Sequence, residues 1–204
     1  MSEPKAVAKS IERIATGVWR WSLRDDRIDF ESDAYAVAAD GGVVMIDPLP
    51  LAERALNKLG RVSAICLTAA CHQRSAWRYR RAFAVKVYAP LGARKMEEEP
   101  DERYRAGDRL PGGLRAYSTP GPEVAHYAFL REGRPKVLFV ADLVMRKRRR
   151  PLAFVPAQYH DDPKATRASV QRLLKLDFAI LCLAHGPPLR RPHEALRRLL
   201  ARTR

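Results

Sequence analysis

Residues 62–75 read Val62-Ser63-Ala64-Ile65-Cys66-Leu67-Thr68-Ala69-Ala70-Cys71-His72-Gln73-Arg74-Ser75, and Ala76-Trp77-Arg78-Tyr79-Arg80-Arg81-Ala82-Phe83 follows. The apolar run at 62–67 predicts a buried strand, 75–83 an amphipathic helix, and 85–89 a second strand stopped by Pro90. Strand, helix, strand in that order argues for α/β units. A short turn carrying one cysteine and one histidine separates the first strand from the helix. Functional groups in α/β layers gather where strands end, so this turn is the first candidate site.

Working outward, residues 14–23 mix β-branched and aromatic side chains and predict a strand. Its alternation puts Trp19 and Trp21 on one face, toward the core. Strands are predicted at 34–38 and 43–46, joined by Asp40-Gly41-Gly42, and the second ends at Asp47-Pro48. Residues 49–59 predict a helix that Gly60 stops. Downstream, the pattern gives a short helix at 92–99 and short strands at 104–110 and 114–118. A hairpin follows at 127–131 and 136–140, then a helix at 166–176, a strand at 178–183 and a last helix at 191–204. Residues 1–13 are expected to form a flexible N-terminal arm and 14–204 a single domain, since 204 residues suffice for one sizeable core.

Composition narrows the class. Hydrophobic residues make up 47% and charged residues 30%, as in globular domains. Thirty-eight Lys plus Arg against 23 Asp plus Glu give a net charge of +15, a field that attracts anions without choosing among them. A solvated, Arg-rich surface is the plain alternative. Three cysteines exclude a disulfide scaffold, and Cys66 and Cys182 sit in apolar strand-like runs. No run reaches 18 apolar residues and no signal-like segment is read, so a cytoplasmic, membrane-free protein is expected.

Asp47, the His72 segment, Asp142 and His185 each follow directly on a predicted strand. Read with their neighbours, Ala34-Tyr35 to Asp47, Leu67-Thr68, Thr119-Pro120-Gly121, Phe139-Val140-Ala141-Asp142 and Ala184-His185-Gly186 resemble the successive landmarks of the metallo-beta-lactamase fold superfamily. The resemblance runs over roughly residues 14–200. It implies an α/β fold, a four-layer αββα sandwich of two mixed sheets flanked by helices. It also implies one or two zinc, iron or manganese ions at the sandwich edge, hydrolysing esters, thioesters, amides or phosphodiesters.

Residue by residue, the metal-binding pattern is degenerate. After Leu-Thr the superfamily shows His, any residue, His, any residue, Asp, His; here those places hold Ala69, Ala70, Cys71, His72, Gln73 and Arg74. The histidine expected after Thr-Pro-Gly is Pro122. Asp142 matches the bridging carboxylate, His185 the last histidine ligand, and His126 a place usually held by a non-ligand polar residue. If any ion binds, it is a single zinc or iron on Cys71, Asp142 and His185; His72, Asp142 and His185 are the candidate catalytic groups. Arg74 puts a fixed positive charge where a second cation would sit, and can instead pair with Asp142 and fill the cavity.

The leading expectation is therefore a domain that has lost its metal site and acts in binding or assembly. Such a domain is not a metal-dependent hydrolase despite its hydrolase-type fold. Its anion pocket would be lined by Arg74, His126 and His185 and serve an anionic small molecule or a protein partner. One alternative is a divergent mononuclear metal-dependent hydrolase. Another is a non-specific nucleic-acid-binding protein using the run Arg146, Lys147, Arg148, Arg149 and Arg150, with no recognisable reading module beside it. A Cys71–His72 nucleophile pair is disfavoured because adjacent residues point in different directions. His160, before Asp161-Asp162, could form a His-Asp pair that reaches the cavity from a late loop; the favoured reading is a surface loop leading to the helix that starts near Pro163.

Overall fold

The computed structural model describes residues 3–147 and 150–202. A seven-stranded sheet takes β1 (Glu12–Ala15), β2 (Val18–Asp25), β3 (Phe30–Ala39), β4 (Gly42–Ile46), β5 (Val62–Cys66), β6 (Lys86–Pro90) and β7 (Glu102–Tyr104), in chain order across the sheet. The first four are antiparallel neighbours and the rest add in parallel. Parallel addition requires crossovers, supplied by α1 (Glu53–Leu59) before β5 and α2 (Ala76–Phe83) before β6.

A second sheet contains β8 (Arg109–Leu110), β9 (Leu114–Ser118), β10 (Tyr127–Arg131) and β11 (Val137–Val140). A small pair, β12 (Val144–Met145) and β13 (Ala153–Phe154), leads to α3 (Pro163–Leu173). Then β14 (Ile180–Leu183) and β15 (Leu189–Arg190) complete the sheet in the order β15-β14-β11-β10-β9-β8, and α4 (His193–Arg202) closes the chain. Only the β11–β14 pairing is parallel.

Period-two alternation divides the apolar residues into three layers. Val44 and Ile46 of β4 face Val137 and Phe139 of β11 across the inter-sheet core. Val43 and Met45 turn the other way, against Ala55 and Leu59 of α1 and Trp77 of α2. Leu138 and Val140 pack with Val170 and Leu173 of α3 and Leu196 and Leu199 of α4. Helix, sheet, sheet, helix is the αββα sandwich. Trp19 and Trp21 share the outer face of the first sheet, and Cys66 and Cys182 are buried between the sheets.

Three local expectations change. The strand predicted at 14–23 is a hairpin, because Gly17 (φ 67°) turns β1 onto β2. The stretch 104–110 leaves the first sheet after Tyr104 and enters the second at Arg109. No helix forms at 92–99, where Gly92 and Lys95 both have positive φ. Ala8, 5% exposed, donates to the Pro50 carbonyl and accepts from the Ala52 amide.

Candidate metal centre

The strand ends converge on one edge of the sandwich. Asp47 follows β4 with φ 46°, and its carboxylate accepts from the Thr68 amide (2.8 Å) and the Thr68 hydroxyl (2.6 Å) after β5. The His72 ring lies between two carboxylates: Nδ1 is 2.9 Å from Asp47 Oδ2 and Nε2 is 3.1 Å from Asp142 Oδ2. Asp142 follows β11. Its other oxygen is 3.1 Å from Nε2 of His185, which follows β14 and whose Nδ1 is 3.0 Å from the Glu31 carbonyl. The Cys71 thiol is 3.7 Å from Asp142 Oδ2. One carboxylate therefore gathers two imidazoles and a thiol.

Electrostatics follow from this packing. Burial and the nearby Arg74 charge push the His72 ring down, but Asp142 and Asp47 outweigh them and raise it to about 9. Asp142 is partly buried, which by itself favours the acid, yet His72 and His185 hold it well below the usual carboxylate range. Partial desolvation, with Asp142 and Glu123 alongside, pushes the thiol of the solvent-exposed Cys71 well above its ordinary value. His126, 0% exposed, is driven down to about 4 by burial against the weaker pull of Asp142. Its Nδ1 contacts the Thr119 hydroxyl (2.8 Å) and carbonyl (3.0 Å), and its buried Nε2 has no hydrogen-bond partner among the described residues.

The turn between β5 and α2 is held from several sides. Arg74 adopts φ 42°, is 4% exposed, and its Nη1 donates to the carbonyls of Asp33 (2.7 Å) and Asp47 (3.1 Å). Gln73 accepts from the Trp77 indole (2.9 Å) and the Glu97 amide (2.6 Å). Glu123 accepts from the amides of Ala70 (3.2 Å) and Cys71 (3.0 Å). Asp33, 1% exposed, binds Arg20 and Ser22 through one oxygen and the Gly186 amide (2.6 Å) through the other, fixing the His185 loop. Gly186 has φ 118°, and a Cβ there would lie 1.9 Å from the Arg146 carbonyl, so only glycine lets this loop pass. His160 donates from Nε2 to the Asp142 carbonyl (2.9 Å) and accepts at Nδ1 from Thr166 (2.9 Å).

A sequence profile described as "Metallo-beta-lactamase superfamily" matches residues 8–201. The chain belongs to the metallo-beta-lactamase superfamily. Its fold is similar to that of the DIM-1 metallo-beta-lactamase (TM-score 0.76, 14% identity, 98% of this chain and 99% of that one). It is also similar to a metallo-beta-lactamase from Pontibacter korlensis (TM-score 0.75, 17% identity, 94% and 98%). The protein TTHA1623, solved in a di-iron-bound form, aligns with TM-score 0.64 and 26% identity over 83% of this chain and 94% of its own. No curated protein matches the sequence.

Within this superfamily frame, the sequence-predicted residues separate into groups. Asp142 contacts each of Cys71, His72 and His185, and the donor atoms of Cys71, His72 and Asp142 lie within 4.8 Å of one another, a group that does not include His185. Arg74 turns Nη1 to two backbone carbonyls behind the turn. Of the basic run, Arg146 donates to the Pro188 carbonyl (3.3 Å) and Lys147 lies over the Phe30 ring (5.6 Å). Arg148 and Arg149 lie outside the described residues. Among those described, no helix is long and apolar enough to cross a membrane. Sequence reasoning missed Thr68, Glu123 and Asp33 as organisers; His160, favoured there as surface loop, reaches the Asp142 carbonyl. Asp33 did carry a signal: an acid directly against the apolar run that opens at Ala34-Tyr35 lies inside β3, where a buried carboxylate needs a partner.

Proposed function

We propose that this superfamily member holds one divalent metal ion, not two, on Cys71, His72 and Asp142 with His185 alongside, and works as a mononuclear hydrolase of an ester, thioester or phosphodiester. One observation carries the reading: both imidazoles spend Nδ1 on an acceptor and turn Nε2 onto the same carboxylate. A carbonyl only accepts, so Nδ1 of His185 bears the proton, and Nε2 of its neutral ring offers a lone pair. A lone pair 3.1 Å from a carboxylate oxygen requires positive charge on the ring or between the two groups. Metal-ligating histidines characteristically donate the other ring N–H to a carboxylate or carbonyl. Nitrogen, sulfur and oxygen donors together suit zinc, with iron an alternative.

A bound ion of this kind supplies Lewis-acid polarisation and an activated water. The chain's own residues do the rest. Asp47, itself oriented by Thr68, sets the tautomer of His72, and the Glu31 carbonyl does so for His185. His160 and β11 hold the Asp142 backbone. The high thiol pKa of Cys71 makes it inert as a free nucleophile, since ionisation beside Asp142 and Glu123 needs a cation to offset it. Arg74 keeps permanent positive charge close enough to depress His72, which disfavours a second cation there. Gln73 cannot accept a proton, and its amide is committed to Trp77 and Glu97, so it serves architecture.

A second reading is a domain without metal that acts in binding or assembly through an anion pocket around Asp142, His185 and Arg74. The raised His72 favours it, because an imidazolium bridging Asp47 and Asp142 satisfies both acids by itself. The test is elemental analysis of protein purified without chelator or nickel, followed by calorimetric titration with zinc. The expected result is about one ion per chain. A metal-free protein that also ignores added zinc overturns the mononuclear reading and leaves the imidazolium bridge.

A further inference from the structure

A cavity of about 840 Å³ opens beside Cys71, a size suited to a small organic ligand. Residues 91–95 form one wall and 123–125 another, with Ala70 and Cys71 on the floor. Both walls are fixed. Arg103 donates to the carbonyls of Pro90 (3.2 Å) and Ala93 (3.3 Å), Gln73 to that of Lys95 (3.4 Å), and Glu123 is tied to the floor amides. Five large hydrophobic side chains are exposed among the described residues, and two of them, Leu91 (45%) and Val124 (83%), line this one cleft. Exposed apolar groups gathered at a concave site mark a binding surface. Arg94 and Lys95 line the same wall and are exposed. The two acids in the lining, Glu123 and Asp161, come from other segments, and Glu123 is tied to the Ala70 and Cys71 amides, so the two cations stand side by side on 91–95, in a chain of net charge +15.

We infer that the cleft selects substrates that are small anionic amphiphiles, with an apolar body against Leu91 and Val124 and a carboxylate or phosphate group toward Arg94 and Lys95. This deepens the mononuclear-hydrolase reading by naming its substrate class, and rests on it for the reaction alone. Calorimetric binding tests it, using octanoate, octyl phosphate, octyltrimethylammonium and acetate at about 0.15 M salt. The two octyl anions are expected to bind at least about tenfold tighter than the octyl cation and than acetate. Octanoate against octyl phosphate decides which anionic group is preferred. The double change Arg94→Ala, Lys95→Ala is expected to abolish the preference for anions, and Val124→Asp the preference for the octyl chain. Arg197→Ala with Arg198→Ala, on α4, controls for the general positive field and is expected to change neither. Equal affinity for octyl anion and cation, or selectivity lost equally in the α4 control, overturns the inference. Metal content measured on the same samples separates the two ideas: one ion with no anion preference sinks the cleft alone, while anion preference without metal sinks the hydrolase reading alone.

Discussion

His72 and His126 are both buried, on turns that end strands of the two facing sheets, yet their rings are driven in opposite directions. Burial opposes protonation of each. The 68–72 turn gives its ring two carboxylates, and the balance reaches about 9; the 119–126 turn gives only Thr119 at contact distance, and the balance falls to about 4. The difference shows that the first turn was built around positive charge and the second around a neutral ring. A histidine in sequence therefore says little until its partners are known.

The sharpest way to break this contrast is to remove the shared acid. Asp142→Asn is expected to abolish zinc binding in calorimetry and to bring His72 down toward an ordinary imidazole value by NMR; a retained ion would refute its place as a ligand. Next comes His72→Gln, which leaves Asp47 and Asp142 facing each other. Loss of one partner from a buried charged pair costs about 3–5 kcal/mol, read by denaturant unfolding without metal. Arg74→Met is expected to cost about 2–3 kcal/mol, since a charged donor to two buried carbonyls is lost; Arg74→Lys should recover part of it.

The pH dependence separates the two histidines in the metal-free protein. His72 is raised in the folded state, so its contribution is full below about 6.5 and is lost as pH climbs toward 9. His126 is depressed, so its contribution is present above about 6.5 and is lost as pH falls toward 4. His72→Gln should flatten the alkaline limb of stability against pH and His126→Gln the acid limb; a single limb responding to both would erase the distinction. The smallest effect belongs to Thr68→Val, about 1–2 kcal/mol with a roughly tenfold weaker zinc affinity, through a misdirected Asp47.

Much of the scaffold was legible because burial repeats. Val43 to Ile46, the 127–140 hairpin and the 178–183 run announce their strands by alternation or unbroken apolar runs, and Asp142 and His185 stand just past the last two. The superfamily landmarks then give the sandwich. The site was harder to read, because its geometry depends on groups that no motif records. Sequence spacing put Cys71 at a ligand place and kept His72 only as a candidate catalytic group, whereas the short turn at Ala70–His72 brings both to Asp142. Arg74 looked like a partner for Asp142 by charge; the donations of its Nη1 to the carbonyls of Asp33 and Asp47 could not be read from spacing. Glu123 gave no signal, since its partners are main-chain amides 53 and 52 residues away.

The guanidinium that joins the carbonyls of Asp33 and Asp47 has one more consequence. A counter-ion covalently tethered to the polypeptide cannot be dialysed away. The interior of β3 and the end of β4, which it braces, should keep their spacing in chelating buffer, and on the mononuclear reading removing the exchangeable ion should silence the protein without melting it.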